Sequence, residues 1–312
     1  MTVVHGFSVL HGFEEPASYR GGFVSIGNFD GVHCGHQAML AILVSRARRE
    51  NVPAVVLTFD PHPIELLRPE AVPPRLTTMA YRAELLEQFG VNRVIILPTS
   101  PRFLSMSAED FFHTIIRTEL QARGLVEGPN FFFGRNRSGN ITTLKAMCAQ
   151  HHLELDILPP VTVDDQLVSS SVIRSLIEVG DLTDAVRLLG HSYRLSGIVG
   201  SGAARGRQIG FPTANLMQLE TLIPGNGVYA AKVEIKGIVH PAAVNIGPNP
   251  TFAESTRKVE VHVLDFEGDL YGSRLEFDFL LRIRDVISFA SVDDLKRQLQ
   301  SDIEVARTAC RS

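Results

Sequence analysis

The 312-residue sequence has no tryptophan and only three cysteines, Cys34, Cys148 and Cys310. They are odd in number, far apart and never in a CxxC pair, so neither a disulfide framework nor a thiolate zinc site is supported. Basic excess is missing too: 30 lysines and arginines against 34 acidic residues leave a formal net charge of -4. No global positive field therefore draws the chain to nucleic acid or to an anionic membrane. No apolar run approaches the ~18 residues needed to cross a bilayer. The stretch from Met1 to Leu10 lacks a basic segment followed by an apolar one. The expectation is a cytoplasmic protein with neither a nucleic-acid nor a membrane partner. No low-complexity tract or internal repeat interrupts an ordinary globular composition, 45% hydrophobic and 21% charged.

What is present falls into two textures. In the first, residues 22–27, 55–59 and 94–97 read as short apolar strands, and 37–49 and 81–89 as helices, the latter ending at Gly90. The Ser107-Ala-Glu-Asp sequence resembles a capping box opening a helix through Phe111, Ile115, Ile116 and Leu120. Strand and helix in alternation imply a parallel sheet covered by helices, with ligands beyond the carboxyl ends of the strands. Two further helical stretches end at Gly180 and Gly190. From Tyr193 onward the chain is glycine-rich and period-two. Residues 228–235 and 238–244 flank a Lys236-Gly237 hairpin, Val259, Val261 and Val263 alternate with Glu260 and His262, and Ser291 caps a last helix. The expected fold is α/β plus β: a Rossmann-like parallel-sheet domain, residues 1–186, and an antiparallel β-barrel domain with a terminal helix, residues 187–312.

Chemistry concentrates at a few places. GNFDGVHCGH, residues 27–36, sits at a strand-to-helix turn, where backbone N–H groups can meet phosphate. Its histidines, His33 and His36, are three apart, close enough to converge on one phosphorus and donate to the charge that builds there. Gly35 between them leaves room for a nucleotide. The bland alternative is a glycine turn with solvated histidines, and zinc through His33, Cys34 and His36 is weaker still, lacking a fourth ligand. TFDPHP, residues 58–63, brings Asp60 and His62 to the same sheet edge. SSSVIR, residues 169–174, offers hydroxyls at a helix start and Arg174 one turn later, groups that suit a triphosphate, though an N-cap is the commoner reading.

The second texture holds GIVGSGAARGRQIGFPTAN, residues 197–215. It is no Walker A, since no Gly-Lys-Ser/Thr follows, yet small residues with Arg205 and Arg207 can wrap a polyphosphate. Thr213 and Asn215 offer two hard oxygens on one side of an extended chain, a seat for Mg²⁺ whose other ligands are phosphates. Glu260 is the best base candidate, a carboxylate in an apolar strand, against the alternative of an ordinary outward glutamate.

Together these elements resemble the HxGH nucleotidyltransferase superfamily and, within it, the prokaryotic bifunctional riboflavin kinase/FAD synthetase family. The first module's GxFDGxHxGH, TFDPHP, FxFGxxxxG and ISSTxIR elements appear in order at residues 27–36, 58–63, 131–139 and 168–174. The second module's GRxxGFPTAN, PxxGVYA, NIGxNPTF, VExH and DLYG elements appear at 206–215, 224–230, 245–252, 259–262 and 269–272. The likeness runs from about residue 20 to 308. It implies riboflavin phosphorylation to FMN and FMN adenylylation to FAD, with ATP, riboflavin and FMN as small-molecule substrates, flavins as substrate and product, and Mg²⁺ accompanying ATP. It implies that His33, His36, Ser170, Ser171 and Arg174 handle ATP phosphates, with Gly27, Phe29, Asp30 and Gly35 beside the nucleotide. Asp60, His62, Asn130 and Phe133 are implied on the flavin side. In the kinase module it implies ATP at Gly202, Arg207, Gly210, Thr213 and Asn215, the metal at Thr213 and Asn215, Glu260 as general base, and Arg284 near the flavin. One departure is plain: Val286 stands where the family usually has Glu.

Overall fold

The computed structural model describes residues 6–200, 210–249 and 254–311. Gly202, Arg205 and Arg207 therefore lie outside the described residues. The chain divides into two compact units, one built from residues up to Pro73 with Met79–Val168, the other from Pro74–Thr78 with the residues from Ser169 onward.

The first unit is a six-stranded sheet of β1 (Ser8–His11), β2 (Phe23–Ile26), β3 (Ala54–Asp60), β4 (Arg93–Pro98), β5 (Gly124–Glu127) and β6 (Glu154–Ile157). Every pairing is parallel, in the order β1-β4-β3-β2-β5-β6. The helices are α1 (Cys34–Glu50), α2 (Pro63–Leu67), α3 (Met79–Gln88), α4 (Pro101–Leu104), α5 (Ala108–Phe111) and α6 (Ile141–Gln150), and a small hairpin, β7 (Thr162–Val163) and β8 (Gln166–Leu167), follows. Both sheet faces are covered, so the central strands are apolar throughout rather than alternating. Val24, Ile26 and Leu125 join one core with Phe111, Phe112, Ile115, Ile116, Leu144 and Cys148. Phe23 and Val126, one residue away on the same strands, face the other core with Leu40 and Leu43 of α1 and Leu85 and Leu86 of α3.

This order has a functional consequence. From β2 the chain adds β3 and β4 on one side and β5 and β6 on the other. The crevice of such a sheet opens where the order reverses, at the carboxyl ends of β2 and β5.

One expected element differs in kind. Ser107 caps α5 through its Oγ, which accepts from the Asp110 N–H at 3.0 Å, but the helix continues as a π-helical segment, Phe112–Glu119. Buried Phe112, Ile116 and Leu120 recur every four residues, as do Phe111 and Ile115. This i, i+4 spacing marks the buried face of the segment.

The second unit begins with α7 (Ser170–Val179) and α8 (Leu182–Leu189), each closed by a left-handed glycine, Gly180 and Gly190. Strands β9 (Tyr193–Gly200), β10 (Ala214–Met217), β11 (Gly227–Ile235), β12 (Ile238–Asn249), β13 (Glu254–Val263) and β14 (Arg274–Arg284) close an antiparallel barrel in the order β10-β13-β12-β11-β14-β9. Lys236 and Gly237 join β11 to β12 with φ of 53° and 80°, the two positive values that a tight hairpin turn requires. The terminal helix α9 (Val292–Arg311) packs on β11 and β12. Gly227 to Ala231 are consequently buried without a break, one face lining the barrel and the other lying under the helix.

Arg284, at the end of β14, is tied to α9. Its Nη2 donates to Asp302 Oδ2 at 2.7 Å and its Nε to Oδ1 at 3.1 Å, while Gln298 Nε2 donates to the same carboxylate at 2.9 Å. The Asp302 side chain is 1% exposed, so removing its cation leaves a buried charge. Arg284→Met is expected to lower the unfolding free energy by about 3 kcal/mol in urea denaturation, and Arg284→Lys, a point charge unable to chelate both oxygens, to lose part of that.

Candidate functional sites

The first site begins where β2 ends. The turn after it keeps Phe29, Gly31 and Val32 at φ of 50°, 85° and 37°, a region that costs a non-glycine residue free energy. Neighbouring elements hold it there. Arg82 of α3 donates from Nη2 to Asp30 Oδ1 at 3.0 Å and from Nη1 to the Asn28 carbonyl at 2.7 Å. Thr58 Oγ1 of β3 donates to the same carbonyl at 3.3 Å, and Gln37 Nε2 to the Val32 carbonyl at 2.8 Å. The Phe29 ring is buried. Asp30 is thereby a structural anchor of the turn, its charge engaged by a buried arginine.

The turn delivers His33 as the N-cap of α1, its Nδ1 accepting from the His36 N–H at 3.3 Å. That bond makes Nε2 the proton-bearing nitrogen of a neutral His33. The two imidazoles stack with centroids 3.7 Å apart and planes 13° from parallel, and Phe29 flanks His36 at 5.0 Å. A Cβ on Gly35 would meet the His33 ring at 3.2 Å, so the glycine lets the ring lie where it does. Burial holds the His36 pKa well below its ordinary value, helped by the charges of His33 and Arg82. Among the described residues His36 Nδ1 and Asn28 Oδ1 are buried without a hydrogen-bond partner. Orphaned polar atoms at the open end of a sheet mark a place where a ligand completes the bonding.

The neighbouring strand ends contribute further groups. Asp60 is the last residue of β3, and a cis peptide joins it to Pro61. His62 caps α2, its Nδ1 accepting from the Ile64 N–H at 3.0 Å while Glu65 reaches back to the His62 N–H at 3.3 Å. Its ring is oriented by that cap. Asn130 is exposed just after β5, followed by stacked Phe131 and Phe133 with centroids 5.4 Å apart. The loop glycines have steric reasons: a Cβ at Gly134 would lie 2.6 Å from the Ala108 nitrogen, and one at Gly139 2.7 Å from the Phe133 ring. Phe59, Phe103 and Phe111 extend the aromatic surface from Phe133.

In the second unit, Ser169 Oγ caps α7 by accepting from the Val172 N–H at 3.3 Å. Ser170 and Ser171 form the first turn, Ser171 exposed, and Arg174 Nε donates to the Pro74 carbonyl at 2.7 Å.

The barrel carries its own polar row. Glu260 of β13 lies opposite Asn215 of β10 on one side and Asn245 of β12 on the other. Directly opposed residues share a sheet face. Val259, Val261 and Val263 fill the interior while Glu260 and His262 are only partly buried, so the row lies outside the barrel. Thr213, exposed, precedes Asn215 by two residues, and the turn containing it docks on β13: His262 Nδ1 lies 2.7 Å from the Pro212 carbonyl and its ring 6.0 Å from that of Phe211. Gly210 opens that turn at φ 90°. Val286 packs against Gly247 of β12, whose Cβ would sit 3.1 Å from the valine Cγ2.

Three residues of these sites were not singled out from the sequence. Asn28 and Asn245 lie inside the quoted motifs, and their position in a turn and in a strand row is visible only in three dimensions. Arg82 carries a signal: it occupies the stripe of Leu85 and Leu86 on α3, where an apolar residue belongs.

Comparison with known proteins joins the two sites to one chemistry. A family model described as FAD synthetase matches residues 15–172, and one described as riboflavin kinase matches 189–310. The chain is 39% identical over 290 residues to the bifunctional riboflavin kinase/FMN adenylyltransferase of Pseudomonas fluorescens, covering 93% of each. It is 35% identical to that of Escherichia coli K12 over 96% of this chain and 95% of the relative. A crystal structure described as a macrolide-efflux protein of Streptococcus pneumoniae superposes with a TM-score of 0.83 at 34% identity, over 96% of this chain and 98% of that one. Among the described residues no helix is long and apolar enough to cross a membrane. With both modules matched in order along one chain, the protein belongs to the bifunctional riboflavin kinase/FMN adenylyltransferase family, which phosphorylates riboflavin to FMN and adenylylates FMN to FAD.

Proposed function

We propose that the two reactions are divided between two separate polar clusters, the adenylylation in residues 1–186 and the phosphorylation in residues 187–312, both in the cytoplasm. The carrying observation is that each compact unit holds a cluster of its own: stacked His33 and His36 with orphaned Asn28 Oδ1 in the first, and the Asn215–Glu260–Asn245 row in the second.

In the barrel, the 5′-hydroxyl of riboflavin attacks the γ-phosphorus of ATP, the bond to the β-phosphate oxygen breaks, and Glu260 takes the hydroxyl proton. Asn215 and Asn245, on either side of Glu260, orient the carboxylate and the groups it meets. Thr213 and Asn215 fit Mg²⁺, being uncharged hard oxygen donors beside an anionic substrate, and the ion when bound neutralises phosphate charge. Arg284, with its charge on Asp302, fixes the end of β14 near the flavin rather than supplying a separate charge.

In the sheet domain, a phosphate oxygen of FMN attacks the α-phosphorus of a second ATP and pyrophosphate leaves. That nucleophile is already anionic, so positioning and charge stabilisation carry the step. His33 and His36 donate to the phosphates, Asn28 adds an acceptor for a ligand N–H, and Phe131, Phe133, Asn130, Asp60 and His62 form the flavin side. Ser170, Ser171 and Arg174 take phosphates in the same half of the chemistry, on the strength of the sequence resemblance.

Purified protein with riboflavin and ATP, followed by chromatography, tests the division. Glu260→Gln is expected to abolish FMN formation and to leave conversion of added FMN to FAD near normal; joint loss of both would refute the separation. Arg82→Met is expected to lower FMN adenylylation by about 100-fold, since a 1 Å misplacement costs that much, with kinase turnover unchanged. His36 also gives stability a pH signature. Its folded pKa is depressed below the ordinary 6.5, so the unfolded chain binds the proton first, and stability present above that value is lost as pH falls below it. Thermal unfolding of wild type and His36→Gln should diverge with a slope of up to about 1.4 kcal/mol per pH unit below pH 6.5, the variant being the flatter.

A further inference from the structure

Glu127 is the last residue of β5 and is 2% exposed. Alternation along the strand sets its side chain on the face of Leu125, which joins the core of Phe111, Phe112, Phe133, Leu144 and Cys148. Among the described residues no cation pairs with it, and the hydrogen bond it receives comes from the Ile26 N–H, at 2.8 Å to Oε1. Burial therefore pushes its carboxyl well above the usual carboxylate range, the Ile26 N–H pulling more weakly the other way.

The position of that bond matters. Strands β2 and β5 pair at Phe23–Gly124 and Val24–Leu125 and no further, whereas β2 stays paired to β3 through Ile26. The next β2 amide on the β5 side belongs to Ile26, and the carboxyl of Glu127 receives it where a backbone carbonyl would in a continuing ladder. The strands separate here, and a side chain spans the gap. One residue beyond Ile26 begins the turn that carries His33 and His36. One residue beyond Glu127 begins the loop that carries Asn130, Phe131 and Phe133.

We propose that Glu127 is a positioning residue for FMN adenylylation, its carboxyl fixing the distance between the imidazole-bearing turn and the aromatic loop at the sheet's switch point. The inference rests on the reading of that crevice as the adenylylation site. The groups around it favour the uncharged form. On β5 itself Leu125 shares its face; β2 presents Val24 and Ile26; α6 presents Leu144 and the Cys148 thiol, whose own pKa is raised to about 11 by burial first and Glu127 second. The π-helical segment presents Phe112, Ile115 and Ile116. On β6, Asp156 lies opposite Val126, on the other face, with its charge paired to Arg46 of α1 at 2.7 Å.

The test compares the full-length wild type with Glu127→Leu and Glu127→Gln, measuring kinase and adenylylation kinetics separately, together with thermal unfolding. Leu removes the acceptor, and kcat/KM for FMN adenylylation should fall by about 10- to 100-fold while riboflavin phosphorylation holds. Gln keeps an oxygen for the Ile26 N–H and should recover most of the loss. Burial holds the Glu127 carboxyl above the usual carboxylate range, so wild-type adenylylation should decline towards higher pH as it ionises, and Gln should lack that decline relative to wild type. Adenylylation by the Leu variant within twofold of wild type would overturn the proposal. So would equal loss of both activities alongside reduced thermal stability, or a Gln variant as impaired as Leu. Failure of the wild type to make FAD from FMN would instead overturn the site assignment beneath it.

Discussion

The adenylylating half of this protein depends on a turn that would not hold its shape alone. Phe29 and Val32 sit in left-handed backbone, at a cost of about 1–3 kcal/mol each, and neither is glycine. Buried Arg82 offsets that cost by gripping the turn twice, through the Asp30 carboxylate and the Asn28 carbonyl. Phe29 adds burial of its ring. The consequences run outward. The angle at which the chain leaves the turn makes His33 the N-cap of α1, the cap sets the His33 tautomer, and the helical spacing lays His36 against it. The same guanidinium that holds the backbone also helps keep His36 uncharged.

The two halves solve different phosphorus problems with different groups, and the nucleophile explains why. An alcohol must lose a proton as it attacks, so the kinase row centres on a carboxylate, Glu260, flanked by neutral amides. The FMN phosphate arrives deprotonated, so the sheet domain needs donors more than a base, and the nearby Asp30 is tied to Arg82. Glu127, another carboxyl at this edge, is buried against the apolar face. An ionised carboxylate at that point would repel the very anions the crevice gathers.

Much of the fold was legible in the sequence because it rests on local rules. The capping serines at 107 and 291, the glycine stops at 180 and 190, the Lys236-Gly237 hairpin and the valine alternation of β13 all follow from short-range sterics and period. Strands β1, β5 and β6 are not legible: β5 is buried at all four residues, and the short edge strands β1 and β6 mix half-buried and exposed positions without a clean alternation. The π-helical segment was read as ordinary helix, since a capping box says where a helix starts and not how wide it winds. At the sites, residue types and spacing singled out His33, His36 and Glu260, but not the partners that arrive from distant sequence. Arg82 lies 52 residues from Asp30 and Glu127 101 residues from Ile26. A charged residue standing in an apolar stripe was the available sign for both.

Arg284 shows how a site residue can act through the register of a sheet. Reading across the barrel from Glu260, the opposed residues are Asn245 on β12, Val228 on β11 and Arg284 on β14. The β11–β14 ladder is irregular beside that last pair, with shifts at Val228/Tyr229 and Ala230/Ala231. A strand end that has lost regular pairing is the place where slippage is easiest, and a one-residue slip would turn every side chain to the opposite face. The two-oxygen grip of Asp302 on Arg284 pins that end to α9, which itself packs on β11 and β12. The terminal helix thus clamps the strands on both sides of the irregularity. The row containing the base keeps its level because its far end is anchored by charge rather than by ladder bonds alone.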